Sequence, residues 1–334
     1  MRILFLTIFS VCLIKLQAQD PHFSQFFASP LTLNPAFTGK FDGNLRIAGN
    51  YRNQWATINN AFKTTSFSLD LPILQNRIDQ NDTWGVGAMA YSDQSANSAV
   101  KLNYFTLSTA FHKGLDENGA HQLGAAFQGT FSNMLINVSS LKFEDQLTSS
   151  GFTGVTSENF GNATLQSKYF DLNAGVLYTG SSSIENNFYV GVSMFHINRP
   201  KQNFTESAFF LLNPRTTIHA GGYFPAGDNN ILHLSGLHSQ QAKQQETLIG
   251  GTMQFVVGGG QVKPTSFYAG SWIRFNDAVI PYLGLEYGDF RFGVTYDVTT
   301  SSLKGASESR GGLELSLIYI KKPLEGRGLS CPKF

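Results

Sequence analysis

Apolar and polar residues alternate along most of this chain after its first eighteen residues. From Leu123 to Phe131, the odd positions hold leucine, alanine, phenylalanine and glycine, while the even positions hold glutamine, threonine, glycine and alanine. The same alternation occurs in 170–178, 290–297 and 313–319. A period of two places successive side chains on opposite faces of a β-strand. In a soluble sandwich the apolar face would form the core, whereas in a membrane barrel it faces lipid and the polar face lines the lumen.

Residues 1–18 have the layout of a secretory signal peptide. Arg2 supplies a positive start, 3–14 form an apolar stretch, and Ala18 is a small residue at the expected cleavage site. The apolar stretch is too short for a transmembrane anchor, which needs about 18–20 residues. Bulky Val11 before Cys12 argues against a lipoprotein signal. We therefore expect export, with cleavage after Ala18.

The composition of the exported part favours an outer-membrane barrel. Charged residues are 14% of the chain, against about 25% in ordinary globular proteins, and aromatic residues reach 13%. The net charge of +1 gives no reason to expect a nucleic-acid partner. Beyond the signal, Cys331 is the one cysteine, so no internal disulfide is expected. A closed antiparallel β-barrel satisfies every backbone polar group in lipid, and we expect that fold.

Roughly fourteen strands are expected, an even number that suits a bacterial barrel. They begin near Asn44, Thr64, Trp84, Val100, His121, Tyr169, Phe188, Thr216, Ile231, Thr247, Ser266, Val279, Phe290 and Gly311. If the N-terminus is periplasmic, the longer connections should follow odd-numbered strands and be extracellular. The three longest of these are Asn133–Lys168, Asn198–Pro214 and Val298–Arg310. A long even connection at Pro72–Thr83 and a tight odd one at Asn276–Asp277 are exceptions.

The sequence predicts no catalytic, metal-binding or cofactor-binding residues. Seven scattered histidines form neither an H-E-x-x-H motif nor a cysteine–histidine site, and there is no G-x-S-x-G elbow or phosphate-binding loop. A catalytic site assembled from distant residues would leave no such motif, but we expect no enzyme.

Inward-facing charges and tryptophans have structural interpretations. The charges are Asp171, Glu286, Arg291 and Glu314, which fit a paired network in a narrow barrel better than the lining of a pore. Trp55, Trp84 and Trp272 fall near predicted strand ends, as interfacial girdle residues do.

Residues 19–43 form a leader that differs from the strands. Pro21, Pro30 and Pro35 and the lack of alternation argue against a barrel strand. We expect an irregular segment that either packs on the periplasmic side or plugs the lumen.

Three groups of residues carry a family resemblance. In the leader they are Asp20, Pro21, His22, Phe23, Ser24, Gln25, Phe26, Ser29, Pro30, Leu31, Leu33, Asn34, Pro35, Ala36 and Gly39. They continue in Asn50, Tyr51, Arg52, Asn53, Gln54 and Trp55, and in the ending Ser330, Cys331, Pro332, Lys333 and Phe334. With these residues the chain resembles the PorP/SprF family of the type IX secretion and gliding machinery. Asn34-Pro35-Ala36 is also similar to the hatch motif of the fatty-acid-transporter barrels.

The resemblance implies a non-enzymatic outer-membrane protein of a Gram-negative bacterium. Its partners would be periplasmic ring lipoproteins, an adhesin-like cargo protein that is secreted or held at the surface, and outer-membrane lipid. The motif residues of the leader, of 50–55 and of the ending are candidates for partner contact. A channel for hydrophobic small molecules is the alternative, and a purely structural protein is a third interpretation.

The expected organisation is a signal peptide at 1–18, a leader or plug at 19–43, a barrel at 44–320 and a periplasmic tail at 321–334. Fourteen strands enclose far less space than 22 strands do, so we interpret the barrel as an anchor and adaptor rather than a wide conduit. Long extracellular connections would hold cargo, while the leader and the tail would contact the ring. The tail carries Lys321, Lys322, Arg327 and Lys333 against Glu325. Those cations either meet an acidic surface or merely flank the last strand.

Overall fold

The computed structural model describes residues 20–58, 62–75, 77–159, 163–183, 186–204, 209–227, 230–258 and 265–322. Their main feature is a closed barrel of fourteen antiparallel strands, as predicted. The strands are β1 Leu45–Gln54, β2 Phe62–Ile73, β3 Thr83–Ser95, β4 Val100–Gly114, β5 His121–Asn137, β6 Thr164–Ser183, β7 Asn186–Phe195, β8 Arg215–Pro225, β9 Asn230–Gln241, β10 Gln244–Gly258, β11 Thr265–Arg274, β12 Ala278–Tyr287, β13 Phe290–Thr299 and β14 Arg310–Lys321. The signal peptide and the tail beyond Lys322 lie outside the described residues.

Each strand pairs with its neighbours in the chain, and β1 pairs with β14 to close the barrel. This seam runs from Leu45 opposite Lys321 to Gln54 opposite Gly312. Strand direction therefore alternates, and the connections collect at two ends. We call the end that carries the connections 138–163, 196–214 and 300–309 the long-loop end, and the opposite end the short-turn end.

Side chains alternate across the wall as the sequence predicts. On β5, Phe127 is 73% exposed on the outer face, while Gln128 on the inner face is 2% exposed. The outward positions of the other strands are likewise mostly apolar and exposed, so the outer surface suits lipid.

Two predicted details are wrong. β5 continues to Asn137 and β6 begins at Thr164, so the connection between them is shorter than Asn133–Lys168. The reason is that the two strands stay paired, with Leu135 opposite Gln166, beyond the apolar stretch used to place their ends. Trp272 faces inward and is 2% exposed, so it is not a girdle residue. Trp84 is 40% exposed on the outside.

The remaining elements are short. α1 is Pro30–Leu33 in the leader and α2 is Lys304–Ser307 in a long-loop connection. The 3-10 turns are Phe26–Ala28, Pro35–Phe37, Val138–Ser140 and Glu144–Gln146. Two small two-stranded sheets pair 147–148 with 151–152 and 201–203 with 209–211. Within the described ranges, no helix has the length and apolar character needed to cross a membrane.

Candidate functional site: the leader in the lumen

The leader crosses the lumen from one end of the barrel to the other. At the long-loop end, the backbone N–H of Asp20 donates to Oε1 of Gln241, at the end of β9 (2.8 Å). At the short-turn end, the backbone N–H of Asn44 donates to the carbonyl of Lys321, at the end of β14 (2.8 Å). Of the two positions expected for the leader, the structure therefore has the lumenal plug.

At the long-loop end, Asp20 is held by an ionic latch. Its Oδ2 lies 2.6 Å from Nε2 of His196, just beyond β7, and Nδ1 of the same ring lies 2.8 Å from Oδ2 of Asp171 on β6. Arg215 and Gln241 also contact the Asp20 carboxylate. We call Asp20, His196, Asp171, Arg215 and Gln241 the latch. Pro21 is half-buried beside it.

The latch is electrostatically tuned. Burial disfavours charge on His196, but the carboxylates of Asp20 and Asp171 outweigh it and raise the pKa of His196 to about 9. Burial also disfavours charge on Asp20, yet His196 and Arg215 hold the pKa of the Asp20 carboxyl well below its usual range. An imidazolium between two carboxylates therefore fixes the start of the leader to the wall.

A second ionic cluster holds Ser24. The hydroxyl of Ser24 donates to the carboxylate of Asp297 on β13 (2.9 Å) and accepts from Nη2 of Arg274 on β11 (2.6 Å). Arg52 of the family motif lies beside them, 3.1 Å from Asp297, and donates through Nη1 to the carbonyl of His22. Arg52, Arg274 and Asp297 are each at most 5% exposed, and both arginines donate to the Asp297 carboxylate, so these buried charges are paired.

Glu314, on the last strand, binds the leader backbone directly. Its two carboxylate oxygens accept the N–H groups of Ser24 (2.8 Å) and Gln25 (2.7 Å). The Gln25 amide also donates to Thr295, and its Oε1 accepts from the hydroxyl of Ser316. Backbone donors on a charged acceptor form strong hydrogen bonds, so this point is a firm anchor.

The Asn34-Pro35-Ala36 motif joins the leader to the opposite wall. Oδ1 of Asn34 accepts the N–H of Ala36 (2.8 Å) and so caps the turn Pro35–Phe37. Its Nδ2 lies 3.1 and 3.3 Å from the carbonyl oxygens of Val176 and Val192, on β6 and β7, and 2.9 Å from Nε2 of His219.

Glycines in the wall make room for this asparagine. A Cβ placed on Gly175 would collide with Oδ1 of Asn34, and one on Gly191 would lie 2.9 Å from its Nδ2. The close approach therefore depends on residues without side chains.

The leader ends against β2 and β3. Asp70 on β2 accepts the N–H of Gly39 (2.7 Å) and a bidentate pair from Arg46 (2.9 and 2.8 Å), and Arg46 also donates to the carbonyl of Phe37. Gly39 has φ +71° and lies against Gly85 of β3, where a Cβ would collide with the Thr38 carbonyl.

Aromatic residues fill the space between these polar anchors. Phe23 meets Tyr91 edge-on (6.0 Å), and Phe27 stacks on Trp272 with ring centroids 4.8 Å apart. Phe26 lies in the same apolar cluster and is 4% exposed. Most side chains of 23–41 are buried, so the leader fills the middle of the lumen.

The predicted contact residues therefore divide into four groups. The leader motif and Arg52 face the lumen, whereas Tyr51 faces lipid and is 38% exposed. Gln54 and Trp55 lie at the long-loop end, where β1 stops. Cys331, Pro332 and Phe334 lie outside the described residues.

The described part of the leader exposes little surface. At the short-turn end, Asn44 beside it is exposed and Asp42 is half-buried. The predicted network of inward charges is confirmed, since Asp171 pairs with His196, Glu286 with Arg291, and Glu314 with the leader.

Sequence reasoning missed His196, Arg274 and Asp297. Arg274 and Asp297 occupy inward positions on their strands, a signal that was present in the alternation. His196 follows a strand and gave no such signal. Among the described residues, no group of three or more His, Cys, Asp or Glu side chains has a geometry that would hold a metal ion.

Comparisons with known proteins give one strong match. The sequence profile of the family described as "Type IX secretion system membrane protein PorP/SprF" matches residues 15–319. No curated protein matches the chain.

Solved structures that resemble the fold are distant. The Pseudomonas putida toluene transporter TodX is 10% identical, covers 88% of this chain and 93% of its own, and has a TM-score of 0.47. A Pseudomonas aeruginosa FadL homologue is 8% identical, covers 86% of this chain and 92% of its own, and has a TM-score of 0.41. The translocator domain of the autotransporter NalP from Neisseria meningitidis is 9% identical over 83% of this chain and 88% of its own, with a TM-score of 0.39. At these values the matches carry no information on ligand or activity.

Proposed function

The chain belongs to the PorP/SprF family of type IX secretion system membrane proteins, and on this premise we propose that it is a plugged outer-membrane anchor that links the periplasmic ring to an adhesin-like cargo protein. Its family and fold are those of membrane secretion and transport proteins rather than enzymes. The observation that carries the proposal is the leader, which occupies the lumen and is bonded to both ends and to opposite walls of the barrel. A barrel filled in this way cannot conduct a folded protein, so its contribution to secretion is made by its surfaces.

The long-loop end has the features of a binding surface. Phe209, Phe210 and Leu211, in the short strand 209–211, are 42–64% exposed, and Phe152 and Val155 in the connection 138–163 are 47% and 93% exposed. Clustered exposed apolar residues at the end of a barrel mark interaction sites. We assign this end to the extracellular side, where it would hold the cargo.

The short-turn end would then face the periplasmic ring. Its accessible features include Asn44, the connections 74–82 and 115–120, and the start of the basic tail at Lys322. Because the leader motif lies inside the lumen, we propose that these elements, rather than the motif itself, contact the ring.

The decisive experiment is affinity purification from detergent-solubilised outer membranes, with a tag in the 300–309 connection. Two variants are compared with the native protein, one with 138–163 replaced by a short turn and one truncated after Lys322. We expect the first variant to lose the cargo protein and the second to lose the ring lipoproteins. Both barrels should remain heat-modifiable on gels.

Co-purification that survives both changes would refute the adaptor. A native barrel that conducts ions for most of the time in a planar bilayer, or that takes up fatty acid, would instead favour the small-molecule channel.

A further inference from the structure

Three lysines lie on the outer surface of the barrel towards its long-loop end, Lys63 on β2, Lys101 on β4 and Lys168 on β6. Lys101 and Lys168 are exposed and Lys63 is half-buried. Lys63 and Lys101 both lie opposite Gln94 of β3, so they share one row across the wall. Neighbouring strands are about 4.8 Å apart, so about 10 Å separates the Cα atoms of these two lysines.

These lysines have no acidic neighbour on the outer wall. The rows of outward residues that contain them cross β1 to β6 without an aspartate or a glutamate. Within the described ranges, none of the three amines forms an ion pair with a carboxylate. By contrast, Lys113, at the short-turn end of β4, lies 3.0 Å from Asp82. The three unpaired cations therefore attract an anion that the wall itself does not supply.

The same strands present aromatic rings to lipid, one or two outward positions closer to the short-turn end. Phe67, Phe105, Phe131 and Phe170 share a row and are 50–56% exposed. From Phe67 to Ile73, the outward side chains of β2 are all apolar. The lysines therefore lie at the boundary between the apolar band and water, where lipid headgroups are found.

An apolar groove crosses the seam between β1 and β14, beside this aromatic row. Residues that lie opposite one another on six neighbouring strands line it: Phe67, Gly49, Leu317, Phe292, Leu285 and Phe267. Its volume is about 690 Å³, within the roughly 300–1,000 Å³ of small-ligand sites. The groove is open at Gly49, where a Cβ would meet nothing within 4 Å. Four residues separate Phe67 from Lys63, about 14 Å along the strand, so the groove lies at the depth of lipid chains.

We propose that these features bind one lipid, a phosphorylated glycolipid of the outer leaflet, with its phosphates on Lys63 and Lys101 and an acyl chain in the groove. A single amphiphile accounts for both features, because the cations match an anionic head and the groove deeper in the same leaflet matches its chain. Two lysines about 10 Å apart suit a head that carries two phosphates, as in lipid A. The inference rests on the assignment of the long-loop end to the extracellular side, which places the lysines in the outer leaflet.

The test is native mass spectrometry of the full-length barrel released from detergent micelles. The two probes are lipid A with two phosphates and the same lipid A after its phosphates have been removed. A lysine at a membrane surface strengthens the binding of an anionic lipid about fivefold, so the native barrel should bind the phosphorylated probe about 30-fold more tightly. The double variant Lys63→Gln, Lys101→Gln should bind the two probes equally. Lys113→Gln, the matched control on β4, should behave as native.

Gly49→Phe fills the groove and should weaken the binding of both probes by the same factor, since the lysines are untouched. All variants should remain heat-modifiable. A native barrel that does not distinguish the probes, or a double lysine variant that still does, would overturn the proposal. Binding that Gly49→Phe leaves unchanged would also overturn it, because the phosphates alone would then be recognised. The purified barrel carries neither cargo nor ring proteins, so this result is independent of the affinity purification that tests the adaptor.

Discussion

Replacing Asn34 should open the lumen, and the cost can be worked out from its contacts. Asn34→Ala removes the cap on Pro35–Phe37, which is worth about 1 kcal/mol. It also removes the contacts that the Asn34 Nδ2 group makes with two wall carbonyls and with His219. An NH₂ group donates two hydrogen bonds, and each costs about 1 kcal/mol to lose, since the wall carbonyls keep their partners in the sheet. The plug is therefore weakened by about 3 kcal/mol.

A change of this size alters an equilibrium roughly 100-fold. The assay is the fraction of time that single barrels conduct in planar lipid bilayers. We expect Asn34→Ala to raise the ratio of conducting to closed time about 100-fold over the native protein. Heat-modifiability on gels verifies that the barrel itself is intact, because the wall makes its own strand pairs.

Gly175→Ala supplies an independent route to the same state. The added methyl group would occupy the position of Asn34 Oδ1, so the asparagine must leave and the same bonds are lost. The double variant Asn34→Ala, Gly175→Ala has no such clash, so the plug should be destabilised by about 3 kcal/mol in total rather than by about 6 kcal/mol. Additive effects, or an Asn34→Ala barrel as closed as the native one, would refute this account of the motif.

Three further results are expected. Below about pH 6.5 protonated His196 stabilises the latch fully, and roughly 3 kcal/mol of this stabilisation should be lost as pH rises through 9, the pKa of His196 in the folded protein. A second loss of stability should begin below about pH 4, where an Asp20 that has left the wall takes up a proton. Conductance measured across this range should therefore rise at both extremes, and a flat profile would contradict the latch, whereas His196→Gln should remove the alkaline change. Gly85→Ala should displace the end of the leader and open the barrel, while Gly49→Ala, whose added methyl would meet nothing within 4 Å, should behave as native in the same assay. Phe127→Arg should cost about 2–4 kcal/mol of membrane stability and Phe127→Leu little, as measured by urea unfolding in lipid vesicles; equal stability would place Phe127 outside the lipid zone.

The strands could be predicted because their information is local. Alternation in a stretch such as 121–131 reports which side chains face lipid, and turn residues mark the ends. The start of β6 could not be placed, since residues beyond the bilayer keep pairing without apolar side chains. Trp272 was assigned to the wrong face because the sequence pattern of a tryptophan near a strand end is the same whether the side chain faces lipid or an aromatic ring of the leader.

The path of the leader was beyond sequence reasoning for a different reason. Asp20 meets His196 at a separation of 176 residues, and Ser24 meets Glu314 at a separation of 290. No periodicity links such positions, and only closure of the barrel brings them together. Even so, prolines and missing alternation were enough to separate the leader from the wall.

The bond between the leader and Glu314 has a consequence for biogenesis. Ser24 and Gln25, near the start of the leader, are held by the last strand of the barrel, so these contacts cannot form until β14 has been synthesised. A chain that stops before β14 would have no seam and no acceptor for the Ser24 and Gln25 N–H groups. Only a polypeptide that includes β14 can therefore both close the barrel and hold the start of the leader inside it.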